Sequence, residues 1–490
     1  MEIAKRARKI VLPCMSITET VEATADGAIR ISLPKSFPEE AYFVRLKQEE
    51  TYIPRRLSKF SIPSNVQYNL FPIVLGEDGA PWAEANVYLM SRIMESYLPS
   101  MATYSGIAND LAAYRRYLDE SGIDWLNFPA NKLSRPTYRY SGHLKLAIAA
   151  GEVKGTTAKR RMSAIIAFYR WLKSEGALVT AHSTWNESDI YIQQKGSYGN
   201  KFSKKVTTTD VSIRVSKQND PYTETIEDGG KLRPLPYEEQ SWLIEALISL
   251  GNTEMTLIHL FALLTGARIQ TILTFQVNHV LEDLEEQSEH NYELRIPVGP
   301  GTNIDTKNDK QLVLHIPIWF YQILRTYALS ERARKRRQLE RGGDAEDQYL
   351  FLSIRGTPLY QSKAELQDFD ESVNIRHAKT GQGVRQFITE QVIPFIRQKH
   401  STPHFSYQFH DLRATFGMNL TDAQLELVSK GEVTLHEARE FVKNRMGHES
   451  PTTTDRYLQL RKNLKFVRAT NAAYDDHLRQ LIEQAFRGIQ

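Results

Sequence analysis

The chain has 490 residues, enough for about three domains of ordinary size, and its 41% hydrophobic and 24% charged content is that of a globular protein. No apolar run approaches 18 residues, which excludes a membrane-spanning helix. The basic start, MEIAKRARKIVLPCMSI, has too short an apolar stretch for a secretory signal, so a cytoplasmic location is expected. The single Cys14 excludes an internal disulfide, and without CxxC or HExxH spacing neither a metal nor another cofactor is expected.

Net charge is only +4, but its distribution is uneven. Between Lys154 and Lys217 stand twelve Lys/Arg against four Asp/Glu, a density suited to a phosphate backbone. A second run, ERARKRRQLER at 331–341, reads as a solvated helix face.

Residues 1–85 read as strand and loop: GAIRISL and part of AYFVRLKQ alternate apolar and polar, and Pro34, Pro38, Pro54, Pro63 and Pro72 interrupt any long helix. No motif assigns this region a role. Residues 86–177 turn helical, with apolar residues at helical spacing in NVYLMSRIMESYL, YSGIANDLAAYRRYLDESG and TTAKRRMSAIIAFYRWLKSEG. In the last of these, Thr156 or Thr157 can cap the start and Gly176 the end. Lys159, Arg160 and Arg161 crowd its first turn, against the helix dipole. That placement predicts an external anion there, such as DNA phosphate.

Residues 178–230 read as a basic linker that includes Lys204 and Lys205 in QQKGSYGNKFSKKVTTTD. A second, mainly helical block covers 231–465. It contains two strands, YELRIPV and QLVLHIPI, flanking the polar loop NIDTKNDKQ. Residues 466–490 form an amphipathic tail. The fold class is thus mainly α with a small antiparallel β-sheet in the block 231–465 and a β-containing N-terminal region.

Four stretches carry polar groups where the pattern expects apolar ones. Arg268 follows a Thr-Gly break in the apolar LFALLTGARIQTIL, and arginine is rarely buried unpaired. His410 and Arg413 in FHDLRATF stand three apart, on one helix face. Lys307 lies in the loop between the strands. His448 and Tyr457 stand nine apart in MGHESPTTTDRYLQL, where Ser450 and Pro451 suit a cap and a first helical position. Each has a bland reading taken singly: a paired structural arginine, a core histidine, a capping group, a packing tyrosine. Together they form a chemical set. Arginines clamp phosphate, fixed cations stabilise a pentacoordinate transition state, a tyrosine hydroxyl can attack phosphorus, and a lysine can protonate a leaving oxygen.

In these motifs the sequence resembles the tyrosine recombinases of the phage-integrase type over roughly residues 86–465. TGARIQTIL is similar to that family's first-arginine motif, HDLRATF to its His-x-x-Arg motif, and MGHESPTTTDRY to its Gly-His box with the tyrosine nine residues on. TKNDKQLVLHIPI resembles its lysine hairpin, LFLSIRGTPL the segment after it, and TTAKRRMSAIIAFYRWL the last helix of its core-binding domain. The resemblance implies a helical, SAM-like DNA-binding domain at 86–177 and a catalytic domain at 231–465, clamping DNA as a C shape. It implies Arg268 and Arg413 on the scissile phosphate, Lys307 as general acid, His410 in proton transfer at the tyrosine or in orienting the phosphate, His448 on a non-bridging oxygen and Tyr457 as nucleophile in a 3′-phosphotyrosyl link. Lys310 is the alternative to Lys307.

Implied partners are duplex DNA with specific sites, further copies of the chain up to a tetramer on synapsed DNA, and accessory proteins, with Lys159, Arg160, Arg161, Lys204 and Lys205 on the DNA. One departure stands out. Thr271 occupies the place where the family has an acidic residue three after the first arginine. A relaxing enzyme of the type IB topoisomerase kind and a non-catalytic DNA-binding protein are the competing readings.

Overall fold

The computed structural model describes residues 6–18, 22–23, 29–30, 65–96, 99–195, 201–215, 224–282, 292–340, 342–367 and 377–487. The chain divides into two compact units, one of Met1–Gln218 with Gln367–His377, the other of Asn219–Leu366 with Ala378–Gln490. Helices dominate both, with small antiparallel sheets of two strands each.

In the first unit, β1 (Arg8–Thr18) pairs antiparallel with β4 (Asn65–Leu75), Leu12 opposite Phe71. Between them lies the short pair β2 (Glu22–Ala23) and β3 (Ile29–Arg30). The alternation expected in GAIRISL is met at Ile29–Arg30, and AYFVRLKQ lies outside the described residues. Helices α1 (Ala83–Met94), α2 (Met101–Ser121), α3 (Pro136–Ala149) and α4 (Gly155–Ser174) follow. Val74 and Trp82 are buried in the same core as Leu111, Met162 and Phe168, so the described end of the N-terminal region packs with the helices. At its centre the hydroxyls of Tyr114 and Tyr169 meet at 2.8 Å, and Tyr169 also donates to the Trp125 carbonyl, which satisfies polar groups that would be costly to bury alone.

Two local expectations differ from the structure. α4 starts one residue before Thr156, at Gly155, with Lys154 in the N-cap place and no side-chain cap; Gly176, with φ of 73°, ends it as expected. Residues 187–209, expected within a linker, form an antiparallel hairpin of β5 (Glu187–Lys195) and β6 (Lys201–Thr209). Its β-branched Ile190, Ile192, Val206 and Thr207 favour strand. An isolated hairpin is marginal, and this one is anchored at its base. Tyr138 donates to Asp210 at 2.6 Å, and Val211 and Ile213 enter the core.

The second unit opens with a minimal hairpin, β7 (Ile226–Glu227) and β8 (Lys231–Leu232). Then come α5 (Tyr237–Ser249), α6 (Thr253–Thr265), α7 (Ile269–Leu273), β9 (Glu293–Val298) and β10 (Leu312–Pro317). β9 and β10 pair as expected, Ile296 opposite Leu314. Helices α8 (Ile318–Leu329), α9 (Glu331–Gln338), α10 (Lys363–Gln367), α11 (Gln382–Phe387), α12 (Ile393–Lys399), α13 (Asp411–Lys430), α14 (Leu435–Met446) and α15 (Pro451–Arg487) complete it. α15 runs unbroken past residue 465, with the expected tail as its distal part. Among the described residues no helix is long and apolar enough to cross a membrane.

The basic run at 331–341 is exposed at Arg334 and Lys335, as a solvated face requires, but Arg332, Arg336 and Arg337 are engaged by the fold. Arg332 bonds Glu254 through both carboxylate oxygens at 2.7 Å, Arg336 reaches the same group at 2.9 Å, and Arg337 pairs with Asp344 at 2.6 Å. Glu254 is buried, and the arginines supply the partners that a buried carboxylate requires.

Candidate active site

Arg268 follows the αL residue Gly266 that ends α6, where φ is 65°. A Cβ on Gly266 would lie 2.5 Å from Phe416, so glycine is required twice over. Arg268 is thereby lifted out of the helical register and stands as the N-cap of α7. Thr271, where an acidic brace would be expected, and its neighbour Gln270 act elsewhere: Thr271 donates to the Asp305 carbonyl at 2.9 Å and Gln270 to the Thr306 carbonyl at 3.0 Å. Both side chains hold the loop that carries Lys307.

Arg413, in the first turn of α13, is almost fully buried. Its Nη1 donates to the Gly266 carbonyl at 2.8 Å and its Nη2 to the Met446 carbonyl at 2.6 Å. These carbonyls lie at the C-terminal ends of α6 and α14, where backbone acceptors are left over and the helix dipole favours a cation. His448 follows Gly447, the αL cap of α14. Its Nδ1 is 3.0 Å from Thr454 Oγ1. Tyr457, in the second turn of α15, is fully buried, its ring packed with Met418, Val442, Met446 and Leu460. Ser450 accepts from the Thr452 amide at 3.2 Å before Pro451, as the cap reading expects.

These side chains converge on a residue that sequence reading passed over, Asp228, which follows β7 and is itself buried. Asp228 Oδ2 accepts from Arg413 Nε at 2.9 Å, from the Tyr457 hydroxyl at 3.1 Å and from His448 Nε2 at 3.2 Å. Oδ1 lies 3.8 Å from Arg268 Nη2. Arg268 Nε is buried with no hydrogen-bond partner among the described residues. A methyl group on the next residue, Gly229, would lie 3.2 Å from Lys307 Nζ and 3.8 Å from both Arg268 Nη2 and His410 Nε2. All six side chains expected in the site therefore border Asp228 and Gly229. Lys310 does not join them; it pairs with Glu449 at 2.6 Å. The one sequence signal for Asp228 is the EDGG turn at 227–230, at the end of the segment 178–230 read as a linker.

The electrostatics follow from burial and crowding. Burial pushes the Asp228 carboxyl up, but the His448 hydrogen bond and the Arg413 and Arg268 charges outweigh it and hold the group far below the carboxylate range. Burial and the Arg413 charge bring Arg268 down to about 10. Burial and the two arginines bring His410 down to about 4. Burial also lowers His448, against the pull of Asp228. His448 Nε2 faces Asp228 while its Nδ1 faces Thr454. Burial, then the Asp228 charge, drive the Tyr457 hydroxyl far above its ordinary value.

The basic residues expected on DNA lie in the other unit. Lys159 is exposed. Arg160 pairs with buried Asp110 from α2, so an anion of the chain itself, rather than an external one, offsets part of the charge in that first turn. Burial raises the Asp110 carboxyl above its ordinary value, and the Arg160 and Arg161 charges offset only part of that. Lys204 and Lys205 lie on β6, and Lys205 pairs with Asp189 across the hairpin at 2.8 Å.

Comparison with known proteins gives a match for the first unit. Residues 98–176, from just before α2 to just after α4, match the sequence model of the phage integrase N-terminal SAM-like domain. No curated protein matches the chain. Among solved structures, a lambda integrase (75–356) dimer bound to a COC′ core site is 13% identical with a TM-score of 0.40, over 76% of this chain and 94% of that one. A Tn1549 transposon integrase in complex with a circular intermediate DNA is 14% identical with a TM-score of 0.43, over 76% and 94%. A lambda integrase tetramer bound to a Holliday junction is 15% identical with a TM-score of 0.39, over 76% of each chain. Residues 98–176 are thus similar to the SAM-like domain of phage integrases, the family that the motifs around Arg268, Arg413 and Tyr457 resemble.

Proposed function

We propose that this chain is a site-specific DNA recombinase that breaks and rejoins strands through a tyrosine. The observation that carries the reading is the convergence of two arginines, two histidines, a lysine and a tyrosine hydroxyl on one short turn, Asp228–Gly229. Such a set of donors and cations is built for an oxyanion, and the scissile phosphate is the oxyanion that gives the tyrosine a reaction.

In this reading Arg268 and Arg413 hold the non-bridging oxygens, and His448 donates to one of them from Nε2. The Tyr457 oxygen attacks phosphorus while the bond to the 5′ oxygen breaks. Lys307 gives that oxygen its proton, and His410, neutral and close by, takes part in removing the proton of the tyrosine. The product is a 3′-phosphotyrosyl ester and a free 5′ hydroxyl. Because the ester keeps the phosphodiester energy, a 5′ hydroxyl from another strand can reverse the step without ATP.

Residues 86–177, with Lys159, Arg160 and Arg161, and the basic hairpin with Lys204 and Lys205 would bind the duplex around the cut, and residues 231–465 would cut it. Recombination needs several protomers on two duplexes. Leu478 and Ile482, exposed on one face of the distal part of α15, suit docking on a neighbouring copy. Assembly on DNA that is unchanged after truncation at residue 465 would remove that role.

The test is a duplex from the DNA flanking the gene, nicked so that the 5′ product diffuses away. Wild type should retain labelled DNA through denaturation, with the adduct on the peptide that contains Tyr457. Tyr457→Phe should bind the same DNA and retain none. If wild type retains none across the flanking sequence, the enzymatic reading fails.

A further inference from the structure

Asp228 does more than neighbour the site. We propose that its carboxylate is an internal stand-in for the scissile phosphate, an autoinhibitory contact that the phosphate must displace before Tyr457 can react. The inference rests on the reading of this cluster as a phosphate site and adds a control to it.

The contacts of Asp228 are those a phosphate oxygen would make. Oδ2 takes the Tyr457 hydroxyl, Arg413 Nε and His448 Nε2 at once. None of the three needs Asp228 for its position. Arg413 is held by the Gly266 and Met446 carbonyls, His448 by Thr454, and the Tyr457 ring by its apolar cluster. What Asp228 occupies is the side of each group that remains for a substrate. The fit is also incomplete. Arg268 reaches Oδ1 only at 3.8 Å and its Nε has no partner among the described residues. A planar carboxylate has two oxygens, and a tetrahedral phosphate brings more.

Two anions cannot share this position. A phosphodiester within about 4 Å of a retained, water-excluded carboxylate would meet repulsion of several kcal/mol. Either Asp228 leaves or the phosphate stays out. The segment is suited to leaving. Its hairpin has two residues on each strand and turns at Gly229–Gly230, with Gly229 at φ of 71°. It is tied down by Ile226 in the small apolar cluster, by Arg456, which donates to the Glu227 carbonyl, and by a hydrogen bond from His410 to the Asp228 backbone. It also begins the second unit, directly after the chain leaves the first. A carboxylate that braced the arginines for catalysis would predict the opposite response to its removal, which makes the two roles separable.

Inorganic phosphate is the probe, titrated by calorimetry into full-length wild type, Asp228→Ala and Asp228→Asn, with folding checked by circular dichroism. The variants should bind phosphate at least about tenfold more tightly than wild type, and in the DNA-adduct assay they should react faster. Equal or weaker phosphate binding overturns the proposal, as does slower adduct formation with folded protein, which would mark Asp228 as a brace. Should both variants fail to fold, wild type alone decides. Exchange of the Asp228 amide, bonded to the Gly230 carbonyl at 3.0 Å, should quicken about tenfold at saturating phosphate; unchanged or slower exchange overturns the proposal. Tighter phosphate binding by the variants without any DNA adduct from wild type would sink the recombinase reading and leave the occluded anion site standing.

Discussion

The hydroxyl of Tyr457 donates to Asp228 Oδ2 at 3.1 Å, joining side chains 229 positions apart in the chain. The tyrosine is thus buried in two senses. Its ring belongs to a small apolar cluster, and its oxygen belongs to a polar one. A packing group and a polar group are the same residue here, separated by the length of a ring.

Gly417 on α13 makes room for that ring. A Cβ there would lie 2.5 Å from Tyr457 Cε1 and 3.0 Å from Met446 Cε. The ring cannot yield within a packed cluster, so Gly417→Ala should cost about 1–3 kcal/mol of stability. It should also move the hydroxyl, so that adduct formation falls by far more than DNA binding. Adduct yield equal to wild type would show that the ring has freedom to move.

Replacing Arg413 by lysine should be severe despite the kept charge. The guanidinium reaches the Asp228 carboxylate and two backbone carbonyls in three directions, a geometry that a single ammonium cannot reproduce. Buried acceptors would be stranded, and breaking a buried pair costs about 3–5 kcal/mol. Denaturant unfolding of Arg413→Lys should show a loss of that order, and a loss below about 1 kcal/mol would contradict the geometry.

Lys307 and Lys310 should separate by a bypass experiment. Lys307 Nζ lies by Gly229 at the site, while Lys310 is committed to Glu449. A substrate with sulfur at the 5′ bridging position leaves as a thiolate, whose conjugate acid has a pKa of about 8.5, and needs no proton donor. Lys307→Ala should cut the ordinary substrate poorly and the sulfur substrate well. Lys310→Ala should show no such rescue.

Acid should weaken the fold through its buried histidines. His259 is held neutral between the Met255 carbonyl and the Tyr407 hydroxyl, and burial brings it from 6.5 to about 4, as burial and the arginines do for His410. Above pH 6.5 both folded and unfolded states are neutral and these groups make no difference. Between pH 6.5 and 4 the unfolded chain takes up protons that the folded chain refuses, so stability falls; below 4 the loss levels off. His259→Gln should lessen the slope in that window by about 1.4 kcal/mol per pH unit, read from denaturant unfolding at pH 7, 5.5 and 4.5. An unchanged slope would mean that His259 is protonated in the folded state.

On the first unit, Lys159 and Arg160 should behave differently although adjacent. Lys159→Ala should reduce the salt dependence of DNA binding by a slope of about 0.9, with little change in unfolding. Arg160→Ala should lower the unfolding midpoint as well, because it leaves buried Asp110 without its partner. Equal unfolding midpoints for the two variants would show that the Arg160–Asp110 pair contributes nothing to the fold.

Much of the molecule was legible from local pattern. The apolar spacing in TTAKRRMSAIIAFYRWL, the Thr-Gly break before Arg268, the two strands around NIDTKNDKQ and the Ser-Pro start of α15 all describe interactions within a few residues. The misreadings had non-local causes. Arg332 and Arg336 looked solvated with the rest of their run because their partner, Glu254, lies some 80 residues away. Arg160 seemed to need an external anion because Asp110 comes from another helix. The hairpin at 187–209 passed for linker because its anchors, Tyr138 and the aromatic core, lie on the helices before it.

The sequence by itself determined which chemical groups this protein carries and the elements that hold them, since helix caps, strand alternation and residue types act at short range. Only the tertiary structure decided what those groups face. The burial that shifts Arg268, His410 and Tyr457 depends on chain brought in from far away. So does the carboxylate they surround. Asp228 stands 40 residues before Arg268 and 229 before Tyr457, in a turn whose sequence shows no partner, and its role as the common acceptor exists only once the fold has closed around it.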